Sequence, residues 1–264
     1  MDPVKGAAGL GVAALLVGGG YALKRGLDNW NPEISFLSDI ESTEFQKSYT
    51  EGTLGEKYGK YLTNPNENEE WWKQKYEDVL KKVHDASGNP KPNESLSDEF
   101  KNGAVTKGFD KNDNKALNKV CDTAFKKKFD TDIKPTGDTT KDRYRADIWK
   151  YCTIFEKELL TVKDSESDTY TANLGKTKEG VLAATKTTNN DLFWERKQKE
   201  FFYGGNNKNG TGEDAAGGKP FKQLHDQKSS KADVKGELEK VCETAYGATD
   251  NEAEVVKYCS LLDK

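Results

Sequence analysis

The feature that most constrains this chain is a repetition inside it. LNKVCDTAF, from Leu117 to Phe125, recurs as LEKVCETAY, from Leu238 to Tyr246, with Leu, Lys, Val, Cys, Thr and Ala identical and the other three positions conservative in character. ADIWKYCTIF, from Ala146 to Phe155, recurs as AEVVKYCSLL, from Ala253 to Leu262. Upstream, Trp72 pairs with Trp194, Phe100 with Phe221, and Leu54-Gly55 with Leu174-Gly175. Five landmarks in one order, four at offsets of 120 to 122 and the ADIWKYCTIF pair at 107 because the second copy has a shorter connection, mean that one unit occurs twice.

The landmarks carry helical spacing. Leu117, Val120, Cys121, Ala124 and Phe125 fall on one face of a helix, as do their counterparts in the second copy. Ile148, Cys152, Phe155 and Leu159 are expected on one face of the next helix, matched by Val255, Cys259 and Leu262. Ahead of both, Trp72, Tyr76, Val79, Leu80 and Val83 predict an apolar face, with Lys73, Lys75, Glu77 and Lys81 opposite. Breakers such as Gly88-Asn89-Pro90 and Pro135-Thr136-Gly137 mark the connections, and no sustained alternation predicts a sheet. The expected fold is all-α, with two tandem repeats of a small helical bundle, at residues 54–160 and 174–264, joined by a linker over 161–173. The glycine-rich run from Gly204 to Gly218 is expected as a flexible surface loop.

The four cysteines fall two to a copy, each on an apolar helix face. Three pairings are possible on paper, and the duplication favours Cys121 with Cys152 and Cys242 with Cys259. Such bridges belong outside the reducing cytosol and add about 3 kcal/mol each to a small domain. The competing reading is of four buried thiols acting as small apolar residues.

Residues Gly6 to Leu23 form an uncharged stretch between Lys5 and the pair Lys24-Arg25. About 20 residues of helix cross a bilayer, so this stretch predicts an N-terminal transmembrane helix, with an anchor over residues 1–25 and a stalk over 26–53. A cleaved secretory signal, with Gly20-Tyr21-Ala22 before the cut, is the alternative. Ala14, Gly18 and Ala22 place small side chains on one face, which permits a dimer through the anchor helix. Lys24 and Arg25 favour a cytoplasmic soluble part, whereas disulfides favour the outside.

Chemistry is sought without success. The 41 basic and 45 acidic residues mix at short range, and the longest basic run, Lys126 to Lys128, is too short for a nucleic-acid surface. The cysteines are spaced too widely for a zinc site, and His84 and His225 do not correspond under the repeat, so no metal or cofactor is expected. The segment from Gly205 to Thr211 has two glycines at phosphate-loop spacing without the following lysine. Acidic residues such as Glu69, Glu70, Asp122 and Glu243 are expected on a solvated face. Asn93-Glu94-Ser95 and Asn209-Gly210-Thr211 have the glycosylation pattern. An enzyme is not expected, and would be revived by a histidine in a cleft beside clustered carboxylates.

With its MDPVKGAAGLGVAALLVGGG opening, its Trp-then-Cys-Cys layout and its KVCDTAF and KYCTIF helices, the chain resembles paralogous membrane-anchored surface protein families of hemotropic mycoplasmas. The resemblance implies a wall-less bacterium on red blood cells, and a part in surface variation and immune evasion. The expected partners are host surface molecules or antibodies. A cell-internal structural or assembly protein with reduced cysteines is the alternative.

Overall fold

A computed structural model describes residues 34–84, 91, 95–135, 137–204 and 209–263. The chain divides into two compact units that meet in sequence at Leu159 and Leu160. Among the described residues every regular element is helical, and the only extended pairing is a few isolated bridges. No described helix is long and apolar enough to cross a membrane; the anchor read at residues 1–25, with its span at 6–23, lies outside the described residues.

In the first unit the Trp helix begins at Glu69–Gln74 and continues as a π turn over Lys75–Leu80, and the two cysteine helices are Leu117–Phe125 and Asp142–Cys152. In the second unit the Trp helix is Asp191–Tyr203 and the cysteine helices are Glu237–Tyr246 and Glu252–Cys259. Cys121 is bonded to Cys152 and Cys242 to Cys259, with Cα separations of 5.6 and 5.8 Å, so each unit is closed on itself. All four cysteines are fully buried.

Each unit opens with a short segment whose first backbone N–H is held by an aspartate three residues on. The Asp39 carboxylate accepts the Phe36 backbone N–H at 2.7 Å, and Asp164 accepts that of Thr161 at 3.0 Å. The next residue then donates across the unit, Leu37 N–H to the Leu62 carbonyl at 3.0 Å and Val162 N–H to that of Leu182 at 2.9 Å. This segment falls within the ranges that sequence assigns to stalk and linker. Their residues Phe36, Leu37, Tyr49, Val162 and Tyr170 are buried in the units they precede. A segment this brief has no helical period to betray its apolar side.

The same wiring follows in both copies. The Thr63 N–H donates to the Cys152 carbonyl at 3.4 Å, and the Ala183 N–H to that of Cys259 at 3.0 Å. The Leu54 N–H reaches the Lys127 carbonyl at 2.9 Å, and the Leu174 N–H that of Ala248 at 2.8 Å. The Leu-Gly landmark has a steric cause: a Cβ on Gly55 would collide with the Tyr49 ring, and one on Gly175 with the Tyr170 ring. Phe100 packs at a tilt against Tyr151, with ring centroids 5.5 Å apart, and Phe221 against Tyr258 at 5.0 Å, which places the remaining aromatic landmarks at equivalent points of the two cores.

Three expectations are corrected. Lys75 is buried, not on the polar face, because it follows Trp72 by three residues and Trp71 by four, which sets it on their buried side of the helix. Its ammonium pairs with Glu156 at 3.1 Å and lies 5.7 Å from the Trp71 ring. Phe155, Leu159 and Leu262 are core residues but lie beyond the cysteine helices, which end at Cys152 and Cys259. The glycine-rich run is at the surface over Ala216 to Gly218 but anchored before it: Gly210 and Gly212 sit against Phe201 and Phe202, where a Cβ would clash, and Ala215 is buried.

The connection between the cysteine helices accounts for most of the difference between the copies, with bridges spanning 31 and 17 residues. The extra length in the first unit folds inward. Phe129 and Ile133 are buried, and Phe129 meets Tyr58, whose ring also stands edge-on to Trp149 at 5.3 Å. By the repeat register, Tyr58 is replaced by Lys178 and Trp149 by Val256 in the second unit. There Lys178 pairs with Glu252 at 2.7 Å, and a polar surface takes the place of an aromatic core.

Asn68 and Asn190 stand four residues before the two tryptophans, and each grips a main chain from both sides. Asn190 accepts the Leu160 N–H at 2.9 Å and donates to the carbonyls of Leu160 at 2.7 Å and Ala184 at 2.9 Å. Replacing Asn190 with Ala strands these buried groups and is expected to cost the second unit about 3 kcal/mol, read as a shift of its denaturant midpoint with unchanged slope.

Candidate functional site

The repeat register allows each polar side chain of one unit to be compared with its counterpart in the other, and the Trp helices show what is common. Asn68 accepts the Ser35 N–H at 2.9 Å and donates to the Ser35 carbonyl at 2.8 Å and the Asn64 carbonyl at 3.3 Å. The Trp72 indole N–H meets that same Asn64 carbonyl at 3.1 Å, as the Trp194 indole meets that of Ala184 at 2.9 Å. An aromatic neighbour stands edge-on to each tryptophan, Trp71 at 4.7 Å and Phe193 at 5.0 Å. Trp72, Trp194, Phe100 and Phe221 are thus core residues, and the two indole N–H groups are satisfied inside the fold. The shared signal was present in sequence as NEEWW and NDLFW.

What differs is more informative. Asn118 is fully buried: its side chain accepts the Asp110 N–H at 3.1 Å and donates to the carbonyls of Pro65 at 2.8 Å and Asp110 at 3.0 Å. Its counterpart is Glu239. A carboxylate cannot donate those bonds, so the substitution, conservative in sequence, is not conservative in structure. In the second unit Gln198 of the Trp helix holds the segment before the cysteine helix instead. It donates to the carbonyls of Ala232 and Val234 at 3.1 and 2.7 Å and accepts the Leu238 N–H at 3.1 Å.

Glu239 is left half-buried among like charges. Burial first, then Asp191 and Glu243, push its carboxyl up to about 7, against a smaller opposing pull from Lys235. The buried Glu166 belongs to the same neighbourhood; it accepts the Lys186 N–H at 2.5 Å and the Thr185 hydroxyl at 3.3 Å. A surrounding tyrosine pair, Tyr170 and Tyr246, stacks edge-on at 5.9 Å. The Tyr246 hydroxyl donates within reach of the Ala183 and Cys259 carbonyls, at 2.8 and 3.2 Å, and burial drives its ionisation well above the usual range.

The other carboxylates named from sequence behave differently. Glu69 and Glu70 are exposed and pair with Lys73 at 2.6 and 3.1 Å. Asp122 accepts the Tyr49 hydroxyl at 2.8 Å and pairs with Lys126 at 2.7 Å. The basic run is consumed internally as well: Lys127 lies 3.7 Å from Glu99 and 4.5 Å from the Tyr144 ring, and Lys128 donates to the Glu51 carbonyl.

The two histidines have different surroundings in the fold. His225 stacks on Phe202 and bonds the Asn209 carbonyl at 2.6 Å, fastening the glycine strap. His84 ends the turn after Val83, with its Nε2 buried and unbonded among the described residues. No group of three metal-ligating side chains converges among the described residues. Gly205 to Lys208 and Asn93 lie outside them, while Asn209 is exposed and donates to Glu213 at 3.1 Å. No protein-family model, curated protein or solved structure matches the chain.

A carboxyl raised in the fold takes up a proton on folding. The stability it contributes is present below its ordinary range and is lost as pH rises through about 7. The second unit is therefore expected to melt at a lower temperature at about pH 8 than at about pH 5.5, and Glu239→Gln to flatten that dependence while leaving the first unit unchanged. Thermal melts of the two proteins across this range check it.

Proposed function

We propose that this is a membrane-anchored surface protein without enzymatic activity, whose two cross-linked helical units serve a host-facing binding or antigenic-variation role. The observation that carries the reading is the presence of a buried disulfide in each unit, joining its cysteine helices. Bridges of this kind persist outside the reducing cytosol, and the charge-free stretch from Gly6 to Leu23 supplies a means of attachment.

Support also comes from what the two copies keep and what they change. The asparagine–tryptophan wiring and the sulfur bridge recur, while the loops between them differ in length and charge. Such a scaffold lets exposed loops vary without loss of the core. The resemblance to mycoplasma surface families points the same way, toward host surface molecules or antibodies as partners and a single-pass membrane location with the soluble part outside.

A second reading, a structural or assembly protein inside the cell with reduced cysteines, is favoured by Lys24 and Arg25, which would hold the soluble part in the cytoplasm. Trypsin added to intact cells separates the two. Release of peptides from beyond residue 34 is expected, with 121 linked to 152 and 242 linked to 259 in a non-reducing map. Full protection of the soluble part, with four thiols open to alkylation after denaturation without reductant, would establish the internal reading instead.

A further inference from the structure

The chain contains two Asn-Gly pairs, Asn102-Gly103 in the first unit and Asn209-Gly210 in the second. Such a pair has a chemistry of its own. The main-chain nitrogen that follows an asparagine can attack the side-chain amide, and glycine, which lacks a Cβ, obstructs that approach least. The fold treats the two pairs in opposite ways.

Asn102 and Gly103 form the exposed tip of a turn between Phe100 and Val105, which are both buried. The Ala104 N–H closes the turn on the Lys101 carbonyl at 3.0 Å, and the Val105 N–H reaches that oxygen at 3.4 Å; neither bond engages the Gly103 nitrogen or the Asn102 side chain. Gly103 has a φ of 87°, and the space where a Cβ would stand is open. The turn carries an isolated bridge and no regular element, so it opens without unfolding the unit. At the other pair Gly210 is buried, and its N–H donates to the Gly204 carbonyl at 2.8 Å. Its Cβ position is blocked by the main chain of Phe201 and Phe202. The Asn209 amide donates to Glu213 at 3.1 Å, and the Asn209 carbonyl bonds His225 at 2.6 Å.

We propose that Asn102 is a site of spontaneous deamidation, which slowly converts the first unit to a more acidic form while Asn209 of the second keeps its amide. The Gly103 nitrogen bonds to the Asn102 Cγ, the bond from Cγ to Nδ2 breaks, and ammonia leaves with the proton of the Gly103 N–H. Water then adds to one of the two carbonyls of the five-membered imide. Opening at Cγ gives aspartate with the original main chain; opening at the main-chain carbonyl gives isoaspartate, whose backbone runs through the side chain. One water is consumed and one ammonia released, and nothing is oxidised or reduced. Either product sets a carboxylate on an exposed turn, and the isoaspartyl form also lengthens the chain between the buried Phe100 and Val105. The inference holds whichever side of a membrane the chain faces, and its failure would leave the surface reading untouched.

The test is peptide mapping of the full, non-reduced chain after ageing in mildly alkaline buffer made with heavy-oxygen water. The peptide carrying Asn102 is expected to take up one heavy oxygen as it loses its amide, and to do so about tenfold or more faster than the peptide carrying Asn209. It should resolve into two forms, one co-eluting with the same peptide from an Asn102→Asp chain. A second sample, reduced and denatured before ageing, gives the rates that the local sequences set by themselves. A ratio of the two rates no larger in the folded chain than in the denatured one would overturn the proposal. So would an Asn102 that keeps its amide in the folded chain while losing it in the denatured one.

Discussion

One carbonyl in each unit accepts two side-chain hydrogen bonds, and the rest of the unit is arranged around it. The Asn64 oxygen takes the Asn68 amide and the Trp72 indole, and the Ala184 oxygen takes the Asn190 amide and the Trp194 indole. An asparagine four residues ahead of a tryptophan places both donors on one helix face. The same asparagine holds the opening segment by its N–H and its carbonyl, so a stretch too short for regular structure is fixed without a strand partner. The residue beside that carbonyl, Thr63 or Ala183, donates to the carbonyl of Cys152 or Cys259, which ties the clamp to the disulfide.

This arrangement separates what must stay from what can change. Clamp, bridge and the glycine under the tyrosine are the same in both copies. The long connector of the first unit adds Phe129 and Ile133 to its core; the second unit does without them because Lys178 and Val256 replace the large rings they would cover. The same freedom acts on the polar side. Asn118 is enclosed by three hydrogen bonds, whereas Glu239 at its place is half-buried among carboxylates and Gln198 of the Trp helix takes over the hold on the segment before the cysteine helix.

The helices that carry the cysteines and their buried faces were legible in the sequence, because 3.6-residue periodicity and repetition report on packing directly. The opening segments were not, since Phe36 to Asp39 and Thr161 to Asp164 are single turns whose position depends on contacts far away in sequence. Lys75 was misplaced because its charge argued for the surface, although its spacing of three and four residues from Trp72 and Trp71 puts it on their buried side. Glu239 was visible as a letter change against Asn118. Its meaning required the three hydrogen bonds that Asn118 makes, and these depend on Pro65 and Asp110 being brought to it by the fold.

The central claim is that both units are built on the same indole-bearing clamp. Native-state hydrogen exchange of the tryptophan side-chain protons measures it most directly. The Trp72 and Trp194 indole protons should be lost only on unfolding of their own units, and Asn68→Ala should release the first while Asn190→Ala releases the second. Rapid exchange of either proton in the intact chain would contradict the account, as would protection that survives loss of its asparagine.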